Sequence, residues 1–136
     1  MNKAFIILFL LISNLLVGQN TVIPDSNFEQ KLINLGYDSG APNGLVPKAN
    51  IDTITSLNVY FSNISDLTGI EDFTSLQWLR CQSNQLTAIN LSQNTSLIYL
   101  DCRSNSLTNL DITQNTSLIE VDCKWNQLTN LDVTQN

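Results

Sequence analysis

The sequence has no histidine, and only six lysines and arginines among 136 residues. The missing histidine removes the commonest general base and the commonest transition-metal ligand. Twelve acidic side chains against six cations leave a net charge of −6. A chain of that sign repels nucleic acid and anionic lipid head groups, so no nucleic-acid partner is expected. There is no glycine-rich phosphate loop, and no cysteine stands beside a base that could activate it as a nucleophile. No catalytic group and no cofactor are therefore expected.

The chain's conspicuous apolar run is at its start. Met1, Asn2 and Lys3 precede AFIILFLLISNLLV, which ends at Gly18. One early positive charge, an apolar stretch and a small residue are the layout of a secretory signal peptide. Gly18 suits the last position before a cut, whereas Leu16 is larger than preferred, so the cut point is not fixed. A retained anchor is the competing reading, but the 14-residue run is interrupted by Ser13 and Asn14. A membrane span needs ~20 apolar residues. The expectation is export of residues 19–136 to the cell surface or medium, with no membrane insertion once the signal is gone.

Three cysteines, Cys81, Cys102 and Cys123, recur 21 residues apart. Residues 97–115, LIYLDCRSNSLTNLDITQN, match residues 118–136, LIEVDCKWNQLTNLDVTQN, at 13 of 19 positions. Residues 76–94 follow the same frame, and a divergent 22-residue unit begins at Ile54. The pattern L-x-x-L-x-[LC]-x-x-N-x-L is a leucine-rich repeat. Alternation within L-x-C sends Leu79 and Cys81 to one side and Arg80 to the other. One unit cannot bury its own apolar set; stacking units ~4.8 Å apart as a parallel ladder buries them together. Asn84, Asn105 and Asn126 then line up at the turn after the strand, where an amide can satisfy bent backbone. The first unit has Ser62 in that column, which predicts a poorer turn. Leu91, Ile112 and Val133 supply a second inward column, with Asn90, Asp111 and Asp132 pointing out. The T-Q-N-T-S stretches read as turn chemistry.

The repeat also decides what the cysteines are. Val59 fills their position in the first unit, so the column is core, and cysteine packs as a small apolar group. Zinc would want paired ligands about two to four residues apart. A disulfide is the stronger rival in an exported protein, because adjacent strands bring Cα atoms within range. Parallel in-register side chains make the required dihedral awkward, and three thiols leave one over. Buried free thiols are expected.

The frame L-D-C-x-x-N-x-L-T-x-L-D-[VI]-[TS]-x-N-T-S-L resembles the cysteine-containing repeats of the internalin family of bacterial surface proteins. N-I-S-D-L-T-G-I-E-D-F-T-S-L, residues 63–76, resembles the 22-residue repeat of internalins generally. The resemblance covers residues 22–136 and is specific for the repeat class, not for a partner. It implies a curved α/β solenoid with a parallel β-sheet on its concave face, a short N-terminal helical cap, and binding of protein or glycan. Asp25 or Ser26 can cap a helix over F-E-Q-K-L-I-N-L, with Phe28, Leu32, Ile33 and Leu35 on one face and Gly36 as its stop. That helix would shield the first repeat, giving a division into signal 1–18, cap 19–53 and repeats 54–136. The stretch D-S-G-A-P-N-G from Asp38 lacks the ligand spacing of a calcium loop and reads as a plain loop. Nothing in the sequence covers the fourth unit. The expectation is a piece of a longer surface protein, with pairing to another copy as the alternative.

Outward strand residues form rows: Ser56, Trp78, Tyr99 and Glu120; Asn58, Arg80, Asp101 and Asp122; Tyr60, Gln82, Arg103 and Lys124. Phe61, Ser83, Ser104 and Trp125 lie beside the last. These vary while the scaffold repeats. Aromatics and arginine are enriched at binding hot spots. The expected ligand face is Tyr60, Trp78, Arg80, Tyr99, Asp101, Arg103, Asp122, Lys124 and Trp125, taking protein or carbohydrate. The bland alternative is a solvated sheet in which Arg80, Arg103 and Lys124 offset the acidic row. Two other functions remain open: a non-catalytic spacer, or the repeat part of a secreted enzyme whose catalytic domain lies elsewhere. The sequons at Asn63, Asn90, Asn94 and Asn115 are read as repeat chemistry, not as glycan sites.

Overall fold

The computed structural model describes residues 19–136; the expected signal peptide lies outside them. Strand β1 (Asn20–Val22) leads into helix α1 (Ser26–Asn34), and β2 (Leu45–Pro47) returns antiparallel to β1. Four three-residue strands follow, β3 (Ser56–Asn58), β4 (Trp78–Arg80), β5 (Tyr99–Asp101) and β6 (Glu120–Asp122). They pair in chain order as one parallel sheet. The register joins Leu57, Leu79, Leu100 and Val121 in one column and Ser56, Trp78, Tyr99 and Glu120 in the next. This is the leucine-rich repeat solenoid that the period predicts. No helix among the described residues is long and apolar enough to cross a membrane.

Helix α1 starts at Asp25, whose Oδ1 accepts from the Asn27 and Phe28 amides at 2.9 and 3.0 Å. Its other oxygen accepts from the Ser65 amide at 2.8 Å, so one carboxylate ties the helix start to the first repeat. Burial pushes the Asp25 carboxyl up, but its bonds from Ser65, Phe28 and Asp66 outweigh that and hold it below the usual range. The helix stops at Gly36, at φ +82°, where a left-handed residue suits glycine. Phe28 and Leu32 are buried as expected, and Phe28 stacks on Phe73 of the first repeat. Ile33 and Leu35 are not in the core; Glu29 is, with its carboxylate oxygens accepting from the Asn43 and Gly44 amides at 2.7 Å. The β1–β2 pair is absent from the sequence reading, which took that region as helix and loop.

Two asparagine ladders fasten the repeats. Asn84 Nδ2 donates to the carbonyls of Val59 and Cys81 at 2.9 and 3.0 Å. Its Oδ1 accepts from the Ser62 and Ile64 amides of the preceding repeat. Asn105 and Asn126 repeat the arrangement one and two units on. The Ser62 turn is therefore not short of hydrogen bonds, because Asn84 serves it. It differs in backbone instead: Phe61 and Asn63 both have positive φ, where later turns have only Ser83, Ser104 or Trp125. The second ladder lies in the T-Q-N-T-S turns, which are not mere surface chemistry. Asn94 and Asn115 are fully buried, and each donates to two carbonyls of the unit before it at 2.9 to 3.1 Å. Two of the four sequon asparagines are thus sealed inside the solenoid.

Cys81 and Cys102 are fully buried and Cys123 is half-buried; all three thiols are free. Burial pushes the Cys81 thiol well above its ordinary value and Cys102 to about 12. They behave as core side chains beside Val59 in the same column.

Candidate functional site: the outward strand face

Each β-strand turns one residue in and its two neighbours out. Leu79 is buried while Trp78 and Arg80 are exposed, as the alternation requires. Trp78 lies beside Tyr99 in register, and Arg80 beside Asp101. The Arg80 guanidinium sits over the Tyr99 ring, 5.7 Å from its centroid. Such contacts fix a long side chain at a place where it would otherwise sample many rotamers.

The acidic row differs from its sequence reading. Asp101 is not an open-surface carboxylate; only 3% of it is exposed. Arg103 reaches both members of the row, with Nη2 3.5 Å from Asp101 Oδ2 and Nη1 3.3 Å from Asp122 Oδ2. One guanidinium therefore bridges two adjacent carboxylates and offsets their repulsion. Arg80 is engaged with Tyr99, and Lys124 is in none of the ion pairs among the described residues. Asp101 is thus covered and paired with Arg103 within the sheet.

The aromatic residues are distributed unevenly. Tyr60 is 51% exposed, two residues beyond β3, and Trp78 is 42% exposed at the start of β4, while Tyr99 is half-covered. Trp125 is 73% exposed at the far end. Lys31 of α1 lies 5.8 Å from the Tyr60 ring centroid, which brings the helix to the edge of this face. Asp101 is covered, and the other eight expected residues are spread along the sheet and its turns. Trp78, Arg80 and Tyr99 are neighbours on β4 and β5, Tyr60 stands apart beyond β3 under Lys31, and Arg103 bridges Asp101 and Asp122. Asp122, Lys124 and Trp125 belong to the last repeat. Phe61, the most exposed aromatic among the described residues at 80%, shares the column of Trp125 yet is not among the nine.

Stacked 21-residue units, a parallel strand per unit and amide-filled turns define the class: a leucine-rich repeat protein. No family model matches the chain. Internalin J of Listeria monocytogenes serotype 4b (strain F2365) is 43% identical over 75 residues, 55% of this chain and 8% of that protein. The functional domain of internalin J, described as including a cysteine ladder, matches with a TM-score of 0.78 at 42% identity, covering 88% of this chain and 27% of the other. The internalin inlF of the same species superposes at a TM-score of 0.74 with 23% identity over 84% of this chain and 33% of its own, a likeness of fold. The chain is an internalin-like leucine-rich repeat protein. Its own cysteines recur every 21 residues, at equivalent places in successive repeats. It spans about a quarter of the solved internalin J domain and under a tenth of the curated relative's length.

Proposed function

We propose that this chain is the binding module of an exported surface protein and that its outward strand face is the concave side of a curved solenoid. Residues 1–18 act as the signal, residues 19–53 cap the first repeat, and residues 54–136 carry the recognition surface. The ligand is a macromolecule, protein or glycan, and the module is non-catalytic. One observation carries the reading. The inward columns repeat with little change, while the outward positions carry Trp78, Arg80 and Tyr99 in a single cluster with Arg80 held on the Tyr99 ring, and Tyr60 exposed beyond the first strand. Aromatic and arginine anchors of this kind carry most of the energy at protein interfaces.

The test is a screen of the chain against immobilised surface proteins and glycans, followed by Trp78→Ala combined with Tyr99→Ala. Each hot-spot truncation removes ~2 kcal/mol or more, so the double variant is expected to weaken binding on the order of 1,000-fold. Circular dichroism and thermal unfolding should stay close to the parent, because neither ring is in the core. Retained affinity in the double variant would reject this face.

A further inference from the structure

Beyond the strand face lies a second concavity, where the solvent side of α1 meets the turn after β3. It has a volume of about 290 Å³ and is lined by Asn27, Gln30, Lys31, Asn34, Phe61 and Ser62. The four helix residues are spaced i, i+3, i+4 and i+7, so they share one face, opposite Phe28 and Leu32. A polar outer face alone is ordinary for an amphipathic helix. The turn residue opposite it presents an aromatic ring to solvent. Phe61 holds φ at +46° and leaves 80% of itself in solvent. Ser83, Ser104 and Trp125 share this left-handed φ in the later repeats, so the backbone belongs to the scaffold and the exposed ring is what this turn adds to the groove. The backbone is pinned there by the Phe61 amide donating to the Gln82 carbonyl at 3.1 Å and the Ser62 amide donating to Asn84 Oδ1 at 3.0 Å. No core contact explains the ring.

The polar groups around it are pre-set. Asn27 Nδ2 donates to the Asn63 carbonyl at 3.0 Å, which leaves Asn27 Oδ1 as a free acceptor. Gln30 Nε2 donates to Asn34 Oδ1 at 3.1 Å, which leaves Gln30 Oε1 to accept and Asn34 Nδ2 to donate. Ser62 Oγ donates to the Tyr60 carbonyl at 2.9 Å and keeps its lone pairs. Lys31 is the one charged side chain of the six, steadied above the Tyr60 ring. Fixed donors and acceptors alternating beside an exposed ring match a molecule whose hydroxyls both donate and accept and whose C–H face is apolar. The volume lies at the lower limit of small-molecule sites, ~300 Å³, room for one ring rather than a chain.

We propose that this groove binds a single pyranose unit of a glycan, stacked on Phe61, and prefers one that carries a carboxylate facing Lys31. The site is separate from Trp78 and Tyr99, and it shares with the strand face only the contact of Lys31 with the Tyr60 ring.

The experiment is a saturation-transfer and chemical-shift titration of the chain with glucuronic acid, galactose and N-acetylglucosamine. A ligand of this size binding one shallow site gives a Kd on the order of 1 mM. Glucuronic acid should bind several-fold tighter than galactose, and Lys31→Met should erase that difference. Phe61→Gly should abolish binding of all three sugars while the melting temperature holds or rises, because glycine adopts φ +46° without strain. Trp78→Ala with Tyr99→Ala should leave the sugar titration unchanged, which separates this proposal from the strand-face reading. The proposal is overturned if none of the three sugars perturbs the chain at tens of millimolar, if Phe61→Gly leaves their binding intact, or if the shifts follow Trp78 instead.

Discussion

The first and last repeats are built on one pattern, yet they sit in different surroundings. Leu57 and Val59 of the first repeat are buried, sealed by Ile23, Phe28, Leu32 and Val46 of the N-terminal segment. Their equivalents in the fourth, Val121 and Cys123, are half-buried, and Val133, in the column of Leu91 and Ile112, is 53% exposed. Repeat sequence fixes where a side chain points, and the neighbour decides how far it is buried. Stability should therefore fall from the first repeat to the last although the units are alike.

The sharpest way to break the comparison is at the sealed end. Phe28→Ala should lower unfolding free energy by ~3–5 kcal/mol, as truncation of a buried aromatic does, measured by urea unfolding. Gly69→Ala should follow at ~2–4 kcal/mol, the scale of overpacking plus backbone strain. Gly69 has φ +100°, and a Cβ there would lie 2.7 Å from the Val22 carbonyl and within contact of Ile23. If Gly69→Ala melted like the parent, the tight docking of β1 on the first repeat would be wrong. Next comes the second ladder. Asn115→Ala strips hydrogen bonds from the buried carbonyls of Leu91 and Asn94 and should cost ~1–3 kcal/mol. Asn136→Ala, at the exposed end of the same column, should cost less than half as much. Equal losses would contradict the gradient.

Smaller effects sharpen it further. The hydrogen bond from Lys48 Nζ at 2.6 Å and that from Thr21 hold the Asp72 carboxyl below its ordinary value, and Asp25 is lowered as well. A carboxyl depressed in the folded state contributes stability above its unfolded value of about 3.8 and loses it as pH falls through the folded one. Acidification below about pH 4 should thus loosen the N-terminal segment from the repeats, seen as faster hydrogen exchange in α1 before the inner strands. Asp72→Asn should flatten that pH response. The smallest expected difference is chemical. Under native conditions a thiol reagent should modify half-buried Cys123 first and reach Cys81 and Cys102 only on unfolding.

Much of this was legible in residues. Val59 in the cysteine column showed that the column is core, and Asn84, Asn105 and Asn126 fell where an amide is needed. The same logic would have exposed the second ladder. Phe73 occupies in the first repeat the place of Asn94, and an apolar residue at an equivalent position marks burial. The T-Q-N-T-S stretch hid this because its side chains are also good turn formers. The β1–β2 pair was not legible: each strand is three residues, too short for periodicity, and a helix separates them. Within the candidate site, alternation correctly put Asp101 on the outward side but could not show that neighbours cover it. The groove at Phe61 depends on a helix and a turn 30 residues apart meeting in space, which no local pattern reports.

Both asparagine ladders point the same way. Asn84, Asn105 and Asn126 reach back to the turn of the unit before, and so do Asn94, Asn115 and Asn136. On a ribosome, then, each turn receives part of its hydrogen bonding only from the unit that follows it. Each nascent unit waits until about one further repeat has emerged, so assembly proceeds as a front that trails synthesis by a fixed length of chain.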